Sequence, residues 1–224
     1  MDYTAVIAVR GGSARLKNKN IRPFADSNLL EVKIKQLTAS KRICKILVTS
    51  DSQKMLDIAE SYGVDIFKRP VEYCDEKTKT FGEMVEYVAQ NAVVTDGIIW
   101  TPVVCPLVGS RRYDEAVEAY EVQVMTSEEY DSVVSACSIK EYIWGDHAPV
   151  NYSLEKPVKT QDLPDWHLIT NGFFVGNRED MISWKFVYGK HPYLMKLTKW
   201  EAIDIDDKYD FFMAEQAYKW KGIE

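Results

Sequence analysis

Residues 3–20 read Tyr-Thr-Ala-Val-Ile-Ala-Val-Arg-Gly-Gly-Ser-Ala-Arg-Leu-Lys-Asn-Lys-Asn. The first seven, Tyr3 to Val9, form a nearly continuous apolar run with β-branched side chains, the pattern of a strand buried on both faces. The remaining eleven, Arg10 to Asn20, carry two adjacent glycines and several cations, so the strand empties into a polar loop. Outward from this stretch the same alternation repeats. Lys45 to Ser50 is a second buried strand, and Leu29 to Ala39 between the two is helical. Gln53 to Tyr62 places Met55, Ile58, Ala59 and Tyr62 on one helical face, and Gly63 follows where a helix C-terminal glycine is expected. Val64 to Phe67 and Gly97 to Trp100 read as strands, and Phe81 to Gln90 and Arg111 to Val124 as helices. Strands alternating with helices of this length predict an α/β fold with a mainly parallel sheet covered on both faces.

The pattern changes after Ser132. Ser132 to Ser138 is one more strand, but from Ile139 to about Ile169 no helical period is visible and aromatics, prolines and charges mix. This stretch reads as a hairpin-like arm inserted at about residues 139–170 of a single domain spanning residues 1–224. Asn171 to Gly176 and Tyr193 to Leu197 return to strand character. Lys208 to Trp220 closes as a helix with Phe211, Ala214, Glu215 and Tyr218 on one stripe.

With 46% hydrophobic residues in 224, the chain can bury one substantial core. A formal net charge of -6 and the lack of a Lys/Arg stripe argue against a general nucleic-acid partner. Cys44, Cys74, Cys105 and Cys137 lie far apart with no nearby histidine ligand, so they read as reduced thiols in the core rather than zinc ligands. No run approaches 18 apolar residues, and Met-Asp-Tyr-Thr does not begin a signal peptide, so a cytoplasmic location is expected. His147, His167 and His191 are scattered and read as surface or structural residues.

The loop is the most informative segment. It follows a strand at the sheet edge where open α/β sheets bind ligands. Gly11 and Gly12 allow close backbone approach, Ser13 adds a hydroxyl, and Arg10, Arg15, Lys17 and Lys19 gather positive charge in an acidic protein. Amides and cations of this kind suit a polyphosphate. The order is neither a Walker A loop nor G-x-G-x-x-G, and an ordinary polar loop is the alternative. Near the other end stands Glu201-Ala-Ile-Asp204-Ile-Asp206-Asp207, followed by Asp210 and Glu215. On an extended segment Asp204 and Asp206 point to one side, as oxygen ligands of a hard cation must. The alternative is an acidic helix start, which fits Asp207 and Asp210.

Ile7-Ala-Val-Arg10-Gly-Gly-Ser13-Ala-Arg15-Leu-Lys-Asn-Lys19-Asn20 resembles the acylneuraminate cytidylyltransferase signature, Ile-Pro-Ala-Arg-x-Gly-Ser-Lys-x-x-x-x-Lys-Asn. Ala8 replaces its proline and Ala14 its lysine; Arg15-Leu16 instead resembles the Ser-x-Arg-Leu variant of the related CMP-Kdo synthetases. Thr49-Ser50-Asp51, Ala59 to Gly63, Arg69-Pro70, Asp75 with Thr78 and Thr80, Ser132 to Cys137, Asn171-Gly172 and Ile203-Asp204-Ile205-Asp206 follow the family's order and spacing. The resemblance implies a Rossmann-like three-layer nucleotidyltransferase fold whose arm pairs two subunits in a homodimer. It implies attack by a sugar-acid hydroxyl on the α-phosphorus of CTP, with pyrophosphate leaving and Mg2+ as cofactor. Arg10, Lys19 and Asp206 would be catalytic. Ala8, Val9, Arg10, Gly12, Ser13, Arg15, Lys19, Asn20, Asp51, Arg69 and Asp75 would bind the nucleotide, and Asp204 and Asp206 the metal.

The chain departs from the family at Pro102-Val-Val-Cys-Pro-Leu-Val108, where the family carries Gln-Pro-Thr-Ser-Pro-Leu-Arg. Losing the glutamine, both hydroxyls and the arginine makes the acceptor side more apolar. The arm's basic residues reduce to Lys140, Lys156 and Lys159. A sialic-acid-like nonulosonate, Kdo or a smaller acceptor all fit this pattern. A non-catalytic nucleotide-binding homologue is one rival reading; another is a glycosyltransferase using Asp204-Ile205-Asp206 as its metal motif, though such motifs usually lie mid-chain.

Overall fold

The computed structural model describes residues 1–12, 15–127 and 129–221. The described residues form nine strands and six α-helices in this order: β1 (Tyr3–Ala8), β2 (Pro23–Phe24), β3 (Ser27–Asn28), α1 (Leu29–Thr38), β4 (Lys45–Ser50), α2 (Gln53–Ser61), β5 (Asp65–Lys68), α3 (Phe81–Ala92), β6 (Gly97–Trp100), α4 (Ser110–Ala119), β7 (Ser132–Ile139), β8 (Trp166–Asn177), α5 (Arg178–Trp184), β9 (Pro192–Leu197) and α6 (Lys208–Lys221). Seven strands form one sheet in the order β5-β4-β1-β6-β8-β7-β9, and β2 and β3 form a small hairpin. Only β8 runs against its neighbours in the large sheet, pairing antiparallel with β6 and β7. The expected mainly parallel α/β architecture is therefore the one found.

Alternation along the central strands produces the three layers. Ala5 and Ile7 of β1, with Val48 and Ile99, face a core closed by Leu30, Ile34 and Leu37 of α1, Met55 and Ala59 of α2, Tyr113 and Val117 of α4, and Ala214 of α6. Val6, Leu47, Ile98 and Trp100 face the opposite layer, closed by Met84, Val85 and Val88 of α3 and Met181 of α5. Local signals set the helix ends. The Asn28 side chain accepts from the Glu31 amide, and Thr80 and Glu83 form a reciprocal capping box. Gly63 adopts φ +70 after α2 and donates to Glu60 O, the expected left-handed C-terminal conformation.

Several expectations are corrected. Helix 111–124 is α4 followed by a π-helical turn at Tyr120–Val124. β8 begins at Trp166 rather than Asn171, because its first residues pair with Ala136 to Ile139 beyond a bulge. Residues 140–165 thus connect two antiparallel strands, with an isolated Trp144–Pro149 bridge between them. α5 was not anticipated: it is seven residues long and buries only Met181. The thiols divide, with Cys105 and Cys137 buried, Cys74 half-buried and Cys44 exposed. Cys44 precedes β4, where its amide and thiol bond Tyr3 O at the sheet margin rather than entering the core.

Candidate active site

The C-terminal ends of β1, β4 and β6 open on one side, where the loop after β1 begins. Val9 extends the β1–β4 pairing by donating to Thr49 O at 3.0 Å. Gly11 then donates its amide to Asp51 Oδ1 at 2.9 Å, fixing the loop to the end of β4. Buried Asn20 donates to Arg10 O at 3.2 Å and closes the loop on itself. Asp51 and Asn20 therefore set loop shape. Ser13 lies outside the described residues.

Among the described residues, three of the loop's four cations have partners. Arg10 donates to Cys74 O and pairs with Glu76, at 3.0 and 3.1 Å. Arg15 pairs with Asp206 at 2.8 Å, both side chains largely exposed. Lys19 donates to Ile205 O at 2.6 Å, which carries its ammonium to the acidic segment before α6. Burial lowers the Lys19 pKa, while Asp206 and Asp204 oppose that shift. Arg69, after β5, is 4% exposed; its guanidinium donates to Val9 O at 2.8 Å, Cys74 Sγ at 3.0 Å and Met84 Sδ at 3.4 Å. It forms no ion pair among the described residues, and a buried cation held only by a carbonyl and two sulfurs favours an anionic visitor.

These groups surround a cavity of about 280 Å³. Nine of the thirteen anticipated site residues line it: Ala8, Val9, Arg10, Gly12, Arg15, Lys19, Asn20, Arg69 and Asp206. Of the other four, Ser13 is not described, Asp51 lies behind the loop, Asp204 lies beside the cavity, and Asp75 accepts from the Lys77 amide outside its lining. The wall facing the loop escaped sequence reasoning as a set: Tyr73, Cys74, Glu76, Lys79, Phe81 and Met84. The available signal was Thr80-Phe-Gly-Glu83, a capping-box pattern placing the start of α3 beside Arg69. Pro102, Val103 and Val104 complete the lining, so the substituted segment does reach the site.

The two aspartates differ in setting. Asp206 is exposed, whereas Asp204 is half-buried and accepts from Asn171 Nδ2 at 2.6 Å through Oδ2. Burial raises the Asp204 pKa, against the Asn171 hydrogen bond that lowers it. Its other oxygen, Oδ1, is buried with no hydrogen-bond partner. An orphaned carboxylate oxygen of this kind is costly unless something binds it. Among the described residues no three His, Cys, Asp or Glu side chains form a metal cage. Magnesium commonly takes one or two protein carboxylates and completes its shell with phosphates and water, so this pair fits it. Asp207 behaves as the helix-start alternative anticipated, accepting the Tyr209 and Asp210 amides.

A family model described as cytidylyltransferase matches residues 4–123, which include the loop, Arg69 and residues 102–108 but not the carboxylates. An N-acylneuraminate cytidylyltransferase of Escherichia coli is 28% identical over 221 residues, 94% of this chain and 50% of that protein. N-acylneuraminate cytidylyltransferase A of Danio rerio is 25% identical, with coverage of 95% and 50%. The chain thus spans about half the length of these two relatives. A pseudaminic acid cytidylyltransferase of Campylobacter jejuni is 21% identical, with coverage of 98% and 97%. Among solved structures, a CMP-2-keto-3-deoxy-manno-octonic acid synthetase complexed with CTP aligns with a TM-score of 0.73 over 99% of this chain at 9% identity, a likeness of fold alone.

Proposed function

The chain belongs to the cytidylyltransferase family, and from that premise we propose that it transfers a cytidylyl group from CTP to a sugar acid, releasing pyrophosphate. The observation that carries this reading is the convergence on one cavity of Arg10, Arg15, Lys19 and buried Arg69 with Asp206. A nucleoside triphosphate brings several negative charges, which would replace the internal partners Glu76 and Asp206 on the exposed arginines. Lys19 and Arg10 would hold the phosphates and the Gly12 amide would approach them closely; Arg69 and Asn20 would fix the nucleotide side. The chemistry asked of these residues is positioning and charge neutralisation around an in-line displacement.

Asp204 and Asp206 would hold Mg2+, whose charge, when bound, would neutralise phosphate oxygens and lower the pKa of an attacking hydroxyl. Acceptor binding falls to the side lined by Pro102, Val103 and Val104. A sialic-acid-like nonulosonate is the first candidate; this apolar lining favours acids with fewer hydroxyls on the contacting face as the second. No helix among the described residues is long and apolar enough to cross a membrane. We further propose a cytoplasmic homodimer paired through residues 140–165 and the start of β8, where Tyr142, Trp144, Leu154 and Leu168 are exposed.

Pyrophosphate release with CTP, Mg2+ and a panel of N-acetylneuraminate, pseudaminate and Kdo, beside ATP, GTP and UTP, tests the reaction. Release confined to CTP and one acid supports it. Failure of CTP to bind overturns it.

A further inference from the structure

α1 carries a lysine where its apolar stripe faces the core. Leu29, Leu30, Ile34 and Leu37 are buried, and Lys33, one turn from Leu29, Leu30 and Leu37, is buried completely. Its ammonium pairs with no carboxylate among the described residues. It donates to Cys105 O at 3.1 Å and to the Tyr113 hydroxyl, and it stands 5.1 Å from the Tyr113 ring centroid. Three residues along the same helix, Gln36 donates to Pro106 O at 2.6 Å. Two successive carbonyls of the segment behind the pocket are therefore gripped from below by one helix.

The front of that segment is the pocket lining at Pro102, Val103 and Val104. Val104 O accepts the Ile205 amide at 3.0 Å, and Ile205 lies between the two carboxylates. Ile205 O in turn accepts from Lys19. A backbone path thus runs from α1 through Cys105 and Val104 to Ile205 and the loop lysine. Apolar side chains at 102–104 cannot hold their own backbone through polar contacts, so its shape must come from elsewhere. A buried, unpaired cation is costly to keep when an apolar residue of similar length would fill the same volume. Holding a particular backbone geometry is a reason to retain it.

We infer that Lys33, assisted by Gln36, is a positioning residue that fixes the 102–106 backbone and, through the Val104–Ile205 bond, sets the acceptor wall relative to the carboxylates. The inference rests on the proposed cytidylyl transfer for its kinetic consequence, but not for its structural one. Its effect falls mainly on the acceptor side, because among the residues proposed to grip the nucleotide only Lys19 touches this path, while Arg10, Asn20 and Arg69 are held by other bonds.

Lys33→Met and Gln36→Met test it through two readouts. The first is amide hydrogen exchange at Ile205, which needs no substrate. It should quicken at least tenfold in Lys33→Met while the Val9 amide on the nucleotide side stays within twofold. The second is kinetic, with N-acetylneuraminate, pseudaminate and Kdo as probe acceptors. The acceptor KM should rise about tenfold, with CTP affinity by calorimetry within twofold. Gln36→Met should move the same quantities the same way by a smaller factor, and it decides the matter if Lys33→Met does not fold. Unchanged Ile205 exchange, or exchange that quickens equally at Val9, overturns the inference. So does a parallel loss of acceptor and CTP affinity. An absence of wild-type turnover with every acid counts against the proposed reaction, and Ile205 exchange still judges Lys33.

Discussion

Residues 10–20 and residues 102–108 meet at one cavity but are held in different ways. The loop is fixed by its own polar groups: Gly11 on Asp51, Asn20 on Arg10 O, Lys19 on Ile205 O, and Arg10 and Arg15 on exposed carboxylates. The second segment presents Pro102, Val103 and Val104 to the cavity and is fixed from behind by Lys33 and Gln36. A wall whose polar groups face a ligand can exchange internal partners for ligand charges at little cost. A wall held from the interior cannot, because every hydrogen bond broken there strands a buried group. The molecule thus pairs an adaptable charged wall with a rigid apolar one. That division suits a constant triphosphate beside a shape-selected acceptor.

The contrast breaks most readily at the carboxylates next to both walls. Asp206→Ala should lower Mg2+-dependent turnover by about three orders of magnitude, the scale of losing an electrostatic partner of the transition state. Thermal stability should change little, since among the described residues the Asp206 side chain makes only an exposed pair with Arg15. Turnover by pyrophosphate release and melting by calorimetry check both halves. Retained activity would remove Asp206 from the metal site.

A second test concerns what holds the rigid wall. Burial pulls the Lys33 ammonium down to about 8 from its ordinary 10.5. Between those values the unfolded chain binds more protons at this position than the folded chain, so this residue's contribution to stability rises with pH across the window. Lys33→Met abolishes that titration. Denaturant melts of both proteins at pH 7 and pH 10 should show the stability difference moving in favour of the wild type by roughly 3 kcal/mol. A difference that stays flat would mean that Lys33 is not held as a buried cation.

The two walls also differ in how much of them the sequence discloses. The loop is contiguous, and its glycines and cations stand together after a buried strand, so seven cavity residues between Ala8 and Asn20 could be named from local pattern and resemblance. The α/β alternation was legible for the same reason, because each period is local. The wall made by Tyr73, Lys79, Phe81 and Met84 depends on where α3 docks, which no local pattern states. Lys33 was not singled out in the sequence, and its partners Cys105 and Tyr113 are more than seventy residues away. Cys44 misled because its neighbours Ile43 and Ile46 are apolar; the end of β4 places it at the margin.

A smaller effect sharpens the apolar side. Val104→Thr nearly preserves volume but adds a hydroxyl to the lining. Acceptors that present a hydroxyl there should gain, and those that present a methyl should lose, with relative kcat/KM shifting up to about tenfold. CTP affinity should be unchanged, since Val104 contacts the rest of the site through its carbonyl to Ile205. The check is the ratio of kcat/KM for N-acetylneuraminate and pseudaminate in each protein. An unmoved ratio would detach Val104 from acceptor choice.

The smallest change expected is the stability cost of Arg15→Ala. Its ion pair with Asp206 measures 2.8 Å, yet the two side chains are 68% and 56% exposed. Solvent screening and side-chain entropy leave such pairs worth under about 1 kcal/mol. If this arginine waits for phosphate, stability should fall by no more than that, while CTP affinity falls several-fold and becomes less sensitive to added salt. These signs separate two roles for one contact. A structural pair would lose stability and leave the salt dependence of CTP binding intact, whereas a provisional pair loses the binding and keeps the fold. Urea melts and CTP calorimetry at two ionic strengths distinguish them. A stability loss above 2 kcal/mol would place Arg15 among the supports of the loop and narrow the adaptable wall to Arg10 and Lys19.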